Sequence, residues 1–372
     1  MLKENKRREP CKALILSTCF ELTHGVNMKI EKKILDEIDR CYCASHVTVD
    51  GELKVLLASE EIDGPCYSYS GENFEKKETV WEKAGGTMSI IEIPHTNGEF
   101  LAVQNFFPGF NSLNSKIVWG KYEDGRWVIK DFLKLPYVHR FDLLESEGKL
   151  FFIGATLCCS KKDRNDWSDP GRIWIGELPE DLNEEMEIKP IKDFLLKNHG
   201  YWRGESEGCQ VGYVTCDSGI YMVTPPKGGS DWEVKQLLAG QISDVAVFDL
   251  DQDGKEELVT IGPFHGNELL IRKKVDDRRY ETVYQYPNKM DFAHAVWAGN
   301  LLSKPSVVFG IRRMDCELGY IQFDTERNEY NTEIIEKGVG TANVDVVHGK
   351  DREIIIAANH TKNEAAVYIL SN

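Results

Sequence analysis

The sequence predicts an all-β fold: a seven-bladed β-propeller of four-stranded blades, its ring closed by an N-terminal outer strand. Three observations predict it. A β-type segment followed by a turn recurs seven times, at steps of 47, 52, 59, 46, 48 and 50 residues, which is the period of a propeller blade. Each such segment is followed by three more strand-like runs, with Gly, Asn and Asp in the turns between them, as hairpins require. Finally, the repeats open on an outer-type strand at 28–35 and end on three strands that lack a fourth, so the first strand fits as the outermost strand of the last blade. Such closure removes long exposed sheet edges. A β-sandwich with coincidental spacing is the competing arrangement.

The elements follow in order. The recurring segments are MKIEKKIL at 28, EKKETVW at 75, WVIKDFL at 127, MEIKPIK at 186, WEVKQLL at 232, YETVYQY at 280 and YNTEIIE at 330. After WVIKDFL come HRFDLLES, KLFFIGAT and RIWIGEL. After WEVKQLL come SDVAVFDL, ELVTIG and ELLIRKK, and after YETVYQY come HAVWAG, SVVFGIR and LGYIQFD. The last set is ANVDVVH, EIIIAAN and AAVYILS. No helical periodicity interrupts them. The 372 residues, which by length allow two or three domains, therefore reduce to a propeller over 28–372 and an N-terminal segment, 1–27, packed on it.

Composition bounds the function. With 61 acidic against 45 basic residues the net charge is −16, which argues against a nucleic-acid partner needing a clustered basic face. No apolar stretch approaches the ~20 residues of a membrane helix. The ten cysteines show neither a disulfide framework nor a C-x-x-C pair, so reduced thiols and a cytoplasmic location are expected. Against this, the basic start KENKRREPCK precedes ALILSTCF, and Leu16-Ser17-Thr18-Cys19 loosely matches a lipoprotein cleavage box. Its apolar run is too short, and Glu21 follows at once, so this stretch reads as a strand or short helix.

The inner strand of each blade is expected to start with a polar residue at a comparable place: His46, His95, His139, His199, Asp244, His294 and Asn343. Inner strands run side by side around the channel, so their starts share one mouth. A single buried histidine is commonly a satisfied core residue. Five of the nine histidines at one position point instead to metal binding or proton transfer, with polar lining of a water-filled channel as the plain alternative. Loops joining second and third strands should open on the same mouth: 104–107 with Asn105, 158–169, 263–267 with His265, Arg312 and Arg313, and 359–360 with His360. Tyr137, Arg140, Trp202 and Arg203 flank the strand starts. Together these suit a polyhydroxylated or anionic ligand. His348 should lie on the opposite face, and neither it nor His24 is assigned to the site.

The run Asp249-Leu250-Asp251-Gln252-Asp253-Gly254, continuing to Glu257, spaces carboxylates as a hard cation requires. Thr260 at position twelve excludes an EF-hand. The loop is a candidate calcium site of structural role, away from the mouth; a plain Asp-Gly hairpin with exposed acids is the alternative.

At DVAVFDLDQDGKEELVTIG the sequence resembles an FG-GAP/VCBS-type propeller repeat. The following PFHGNELLIRKK resembles the propeller of aldos-2-ulose dehydratases and, more loosely, of propeller polysaccharide lyases of the rhamnose–glucuronate lyase type. The local match covers about one blade. The resemblance implies elimination chemistry on sugars with a metal ion in or near the channel, and it bears on His265 and the acidic loop. The other blades lack that loop, so several calcium sites are not implied.

The expected function is a carbohydrate lyase or dehydratase/isomerase acting by metal- and histidine-assisted β-elimination on a sugar, oligosaccharide or keto-sugar derivative. Elimination beside a carbonyl or carboxylate needs a base for the carbon-bound proton and stabilisation of the enolate. His95, His139, His199 and His294 are expected as ligands of a divalent metal such as Zn or Mn, with a base among His139, His199 and His294. Tyr137 is expected to protonate the leaving oxygen and Arg312 to hold an anionic group. His46, Asn105, Arg140, Trp202, Arg203, His265, Arg313 and His360 are expected to bind substrate. A non-catalytic sugar- or protein-binding propeller is the alternative. A hydrolase would need paired carboxylates at the mouth, where Asp244 stands alone. No G-x-S-x-G, P-loop or dinucleotide fingerprint occurs in a supporting context.

Overall fold

The computed structural model describes residues 28–107, 111–276, 279–350 and 352–372. The N-terminal segment, with Cys11, Cys19 and His24, lies outside them. The described chain folds into seven antiparallel sheets arranged as the blades of a ring. Blade 1 comprises Cys41–Val49, Glu52–Ser59, Cys66–Ser70 and Lys76–Trp81, and blade 2 Ile90–Glu92, Phe100–Gln104, Lys116–Glu123 and Arg126–Lys134. In blade 3 the strands are Val138–Ser146, Lys149–Thr156, Asp169–Glu177 and Lys189–Leu195, with a short extra strand, Cys158–Ser160. Blades 4, 5 and 6 start on inner strands Tyr201–Ser206, Asp244–Phe248 and Asp291–Leu301. Blade 7 consists of Thr341–His348, Glu353–Asn359, Glu364–Ser371 and, as its outermost strand, Lys29–Glu37, which pairs from Lys29↔Ser371 to Glu37↔Glu364.

Burial explains why these segments are strands of different character. Middle strands are covered on both faces by neighbouring blades and read as continuous apolar runs; every residue of Glu353–Asn359 is buried. Outer strands have a free edge and mix exposed with partly buried residues, as Lys29–Glu37 does. The apolar side chains pack between blades, for example Val308, Val344, Ile355 and Tyr368 between blades 6 and 7. Among the described residues no helix is long and apolar enough to cross a membrane, and the eight described cysteines are free thiols.

A β-bulge at the mouth end of the inner strand recurs. Register shifts fall between Cys41 and Cys43, Val138 and Arg140, Ala293 and Ala295, and Thr341 and Asn343. The extra residue is unpaired, and in blades 1, 3 and 6 its side chain lines the channel mouth. Those residues are Tyr42, His139, His294 and Ala342; Ser89, His199 and Ser243 occupy the matching place in the other blades. This corrects the expected register. His46 sits four residues deeper than Tyr42, Asp244 and Asn343 each one deeper than the ring position, and His95 is in the turn at the far end of its inner strand.

Candidate functional site: a histidine-floored cavity at the channel mouth

The ring positions are tied to one another by a repeated hydrogen bond to the backbone of the next blade. Ser89 Oγ donates to the carbonyl of His139 at 3.3 Å, His139 Nδ1 to that of His199 at 3.0 Å, His199 Nδ1 to that of Ser243 at 3.2 Å and His294 Nδ1 to that of Ala342 at 2.7 Å. A carbonyl only accepts, so each Nδ1 carries the proton and each Nε2 presents a lone pair. Burial drives the pKa of His139, His199 and His294 well below the usual imidazole value, with neighbouring histidines and arginines adding to it, so all three are neutral.

Tyr42 stands between two of these lone pairs, its hydroxyl 3.1 Å from His294 Nε2 and 3.3 Å from His139 Nε2. One proton satisfies only one of them at a time. His199 Nε2 is buried with no hydrogen-bond partner, which is costly unless a ligand meets it. The fourth imidazole comes from the 263–267 loop. His265, in a left-handed backbone conformation, is sandwiched between Phe264 and Phe292, and its backbone N–H donates to Ser243 Oγ. Burial, with Arg312 nearby, lowers its pKa to about 3. Ligand atoms of His199, His265 and His294 lie within 4.8 Å of one another. Three neutral imidazoles with one orphaned Nε2 fit a divalent cation bound by nitrogen.

These groups floor a cavity of about 780 Å³ whose walls are the loops between second and third strands. Phe106, Phe107, Trp167 and Phe264 supply aromatic surface. One wall is built around Glu60, a buried carboxylate that accepts from Arg40 Nε at 2.8 Å and His360 Nε2 at 2.6 Å, with Arg312 Nη2 at 3.7 Å. Burial alone would raise its pKa, but the His360 hydrogen bond and the Arg312 and Arg40 charges hold it below the usual carboxylate range. Arg312 and Arg313 both lie over Phe292, at 4.7 and 4.6 Å from the ring centre.

The expected site residues divide accordingly. His139, His199, His265, His294, Arg312, Arg313 and His360 line the cavity. The others do not, each for a physical reason. His95 is exposed on the opposite face, 3.1 Å from Glu145 Oε2, so it is no ligand of this centre. Tyr137 is fully buried and does not line the cavity, so the hydroxyl at the mouth belongs to Tyr42. Asn105 takes a left-handed turn conformation that aims the following Phe106 and Phe107 inward. Arg140 lies beneath the ring, donating to Ser89 Oγ at 3.3 Å. Beside it Asp244 is buried and its pKa rises to about 7 despite the Arg140 charge. Deeper still, His46 pairs with Asp345 at 2.6 Å and Arg203 with Asp142 at 3.2 Å, bridging neighbouring blades. Trp202 packs between blade cores. The cavity also takes in Tyr42, Arg40, Glu60 and Phe292, which the repeat pattern does not reveal. Tyr42 was legible only as the residue between Cys41 and Cys43 at the first inner-strand start.

The acidic loop is on the face away from the cavity. Asp249 Oδ2 accepts from Gly254 N at 2.9 Å, and Asp249, Asp251 and Glu257 bring carboxylate oxygens within 4.8 Å of one another. Lys273 reaches into the group, contacting Asp251 and lying 2.8 Å from Asp253 and 3.7 Å from Glu257.

No family model matches the chain, and no curated protein matches it by sequence. Among solved structures it is similar to the crystal structure of the Myceliophteria thermophila Cps50 (Swd1) beta-propeller domain, with a TM-score of 0.56 and 11% identity, over 92% of this chain and 100% of that one. At that identity the likeness concerns the fold alone: a β-propeller.

Proposed function

We propose that the cavity is the active site of a metal-assisted β-eliminating enzyme, a lyase or dehydratase, on a sugar or keto-sugar derivative. The observation that carries this reading is the buried, unpartnered Nε2 of His199 beside the imidazoles of His265 and His294. His199, His265 and His294 would hold the cation. A divalent ion such as Zn or Mn supplies Lewis-acid stabilisation of negative charge on the substrate oxygen. The chain's own groups handle the protons. Tyr42, kept as a phenol because burial pushes its pKa up, gives its proton to the leaving oxygen. His139, neutral, takes the carbon-bound proton on Nε2 once Tyr42 has turned its own proton to the leaving oxygen. The C–H and C–O bonds break, a C=C bond forms, and the imidazolium returns its proton to the phenolate across the 3.3 Å contact, restoring both groups. The acidic loop is proposed as a separate, structural calcium site, in which Lys273 must swing out for the ion to enter.

The test is elemental analysis of the purified protein and its His199→Ala variant, together with ultraviolet detection of conjugated alkene products from keto-sugars and glycuronate disaccharides. Bound metal lost in the variant and alkene formed by the wild type support the reading. A wild-type protein that takes up neither Zn nor Mn overturns it. Binding of the same sugars without turnover by metal-loaded protein would identify a non-catalytic binding propeller instead.

A further inference from the structure

The cavity's charge runs against that of the whole chain. Its described lining carries five cations, Arg40, Lys161, Arg164, Arg312 and Arg313, against one carboxylate, Glu60, while the chain's net charge is −16. Placing like charges in a shared, partly desolvated cleft is unfavourable, and a cleft of one sign concentrates ligands of the other. The arginines are also held, not merely present. Glu60 and His360 fix Arg40 and Arg312 on one wall, and the Arg312 side chain is only 13% exposed. Arg312 and Arg313 lie over the same Phe292 ring, so two guanidinium groups share one small apolar platform. Arg313 reaches a carboxylate only loosely, at 3.4 Å from the half-buried Asp291. Planar guanidinium pairs in this setting match the oxygens of a carboxylate or phosphate.

We propose that Arg312 and Arg313, seated on Phe292, form an oxyanion clamp, so that the ligand of this site is an acidic sugar carrying a carboxylate or phosphate. The inference rests on the cavity being the sugar-eliminating site, and it names the substrate class. The clamp holds the acidic group at the wall while the sugar ring lies over the histidine floor.

The experiment is calorimetric titration of the full-length, metal-loaded protein with D-glucuronate, glucose 6-phosphate, D-glucose and inorganic phosphate, repeated after chelation. At least one acidic sugar should bind about tenfold or more tightly than D-glucose, and its affinity should fall as salt is raised. Arg312→Gln and Arg313→Gln should each weaken the acidic sugar about 10- to 100-fold while leaving D-glucose unchanged. Arg313→Gln is the safer variant because its side chain is largely exposed, and the thermal midpoint of each variant reports folding. Preference for glucuronate identifies a carboxylate ligand, and preference for glucose 6-phosphate a phosphate. Equal binding of D-glucose, absence of binding by both acidic sugars, or folded variants that keep full affinity would each overturn the clamp. If the wild type binds no metal yet holds the acidic sugar through Arg313, the clamp stands and the eliminating reading falls. If metal binds without acid preference, the reverse holds.

Discussion

At the scale of single residues, a histidine whose Nδ1 is engaged by a carbonyl has one role left, at Nε2. In His199→Ala the orphaned ligand atom is gone, and metal affinity should fall about 10- to 100-fold or more, as read by chelator competition. Tyr42→Phe keeps the ring and removes the shared hydroxyl, so turnover should drop about 10²- to 10⁴-fold with metal content intact. Burial keeps His139 neutral into acid, so the acid limb of the kcat/KM profile should lie well below pH 6.5; a limb at the ordinary imidazole pKa would refute His139 as the buried base. Asp244 carries the opposite sign. Its folded pKa, about 7, exceeds the unfolded value of 3.8. The native state therefore binds the proton more tightly, and stability is lost as pH rises from about 4 through 7. Asp244→Asn should accordingly be more stable than wild type at pH 8 by about 1–3 kcal/mol, and not at pH 4, in urea denaturation at both pH values.

At the scale of elements, the recurring bulge decides which side chain enters the channel. The outer strands were legible because β-branched and charged residues recur in them at the blade period, and the middle strands because burial on both faces imposes apolar runs. The bulge carries no comparable pattern. In blades 1, 3, 6 and 7 it places Tyr42, His139, His294 and Ala342 at the ring. Close approach between blades is set locally too. A Cβ on Gly200 would lie 2.5 Å from both the Ser243 carbonyl oxygen and Asp244 Oδ1. Gly200→Ala should thus push away the carbonyl that orients His199. The expected result is a loss of about 1–3 kcal/mol in urea denaturation, together with weaker metal binding. Unchanged values for both would show that the blade 4–5 junction is slack.

At the scale of the whole molecule, ring closure couples the two ends of the described chain. Lys29–Glu37 covers Glu364–Ser371, whose Ala365, Val367 and Tyr368 are buried. Removing residues 1–37 would expose that apolar strand as an open edge, so the truncated protein should associate or precipitate, as size-exclusion chromatography would show. The fold was legible because strand periodicity and blade spacing are properties of consecutive residues. So was the membership of His139, His199, His265, His294, Arg312, Arg313 and His360 in the mouth loops and strand starts. The pairing of Tyr42 with His139 and His294, the pinning of Arg312 by Glu60 through His360, and the removal of His95 to the far face could not be read from the chain. These contacts join residues up to 300 positions apart. The sequence by itself determined how many blades form, how they close and which loops share a mouth. Only the tertiary structure decided which side chains meet there, because that depends on bulge register and on inter-blade hydrogen bonds, and neither leaves a mark on local periodicity.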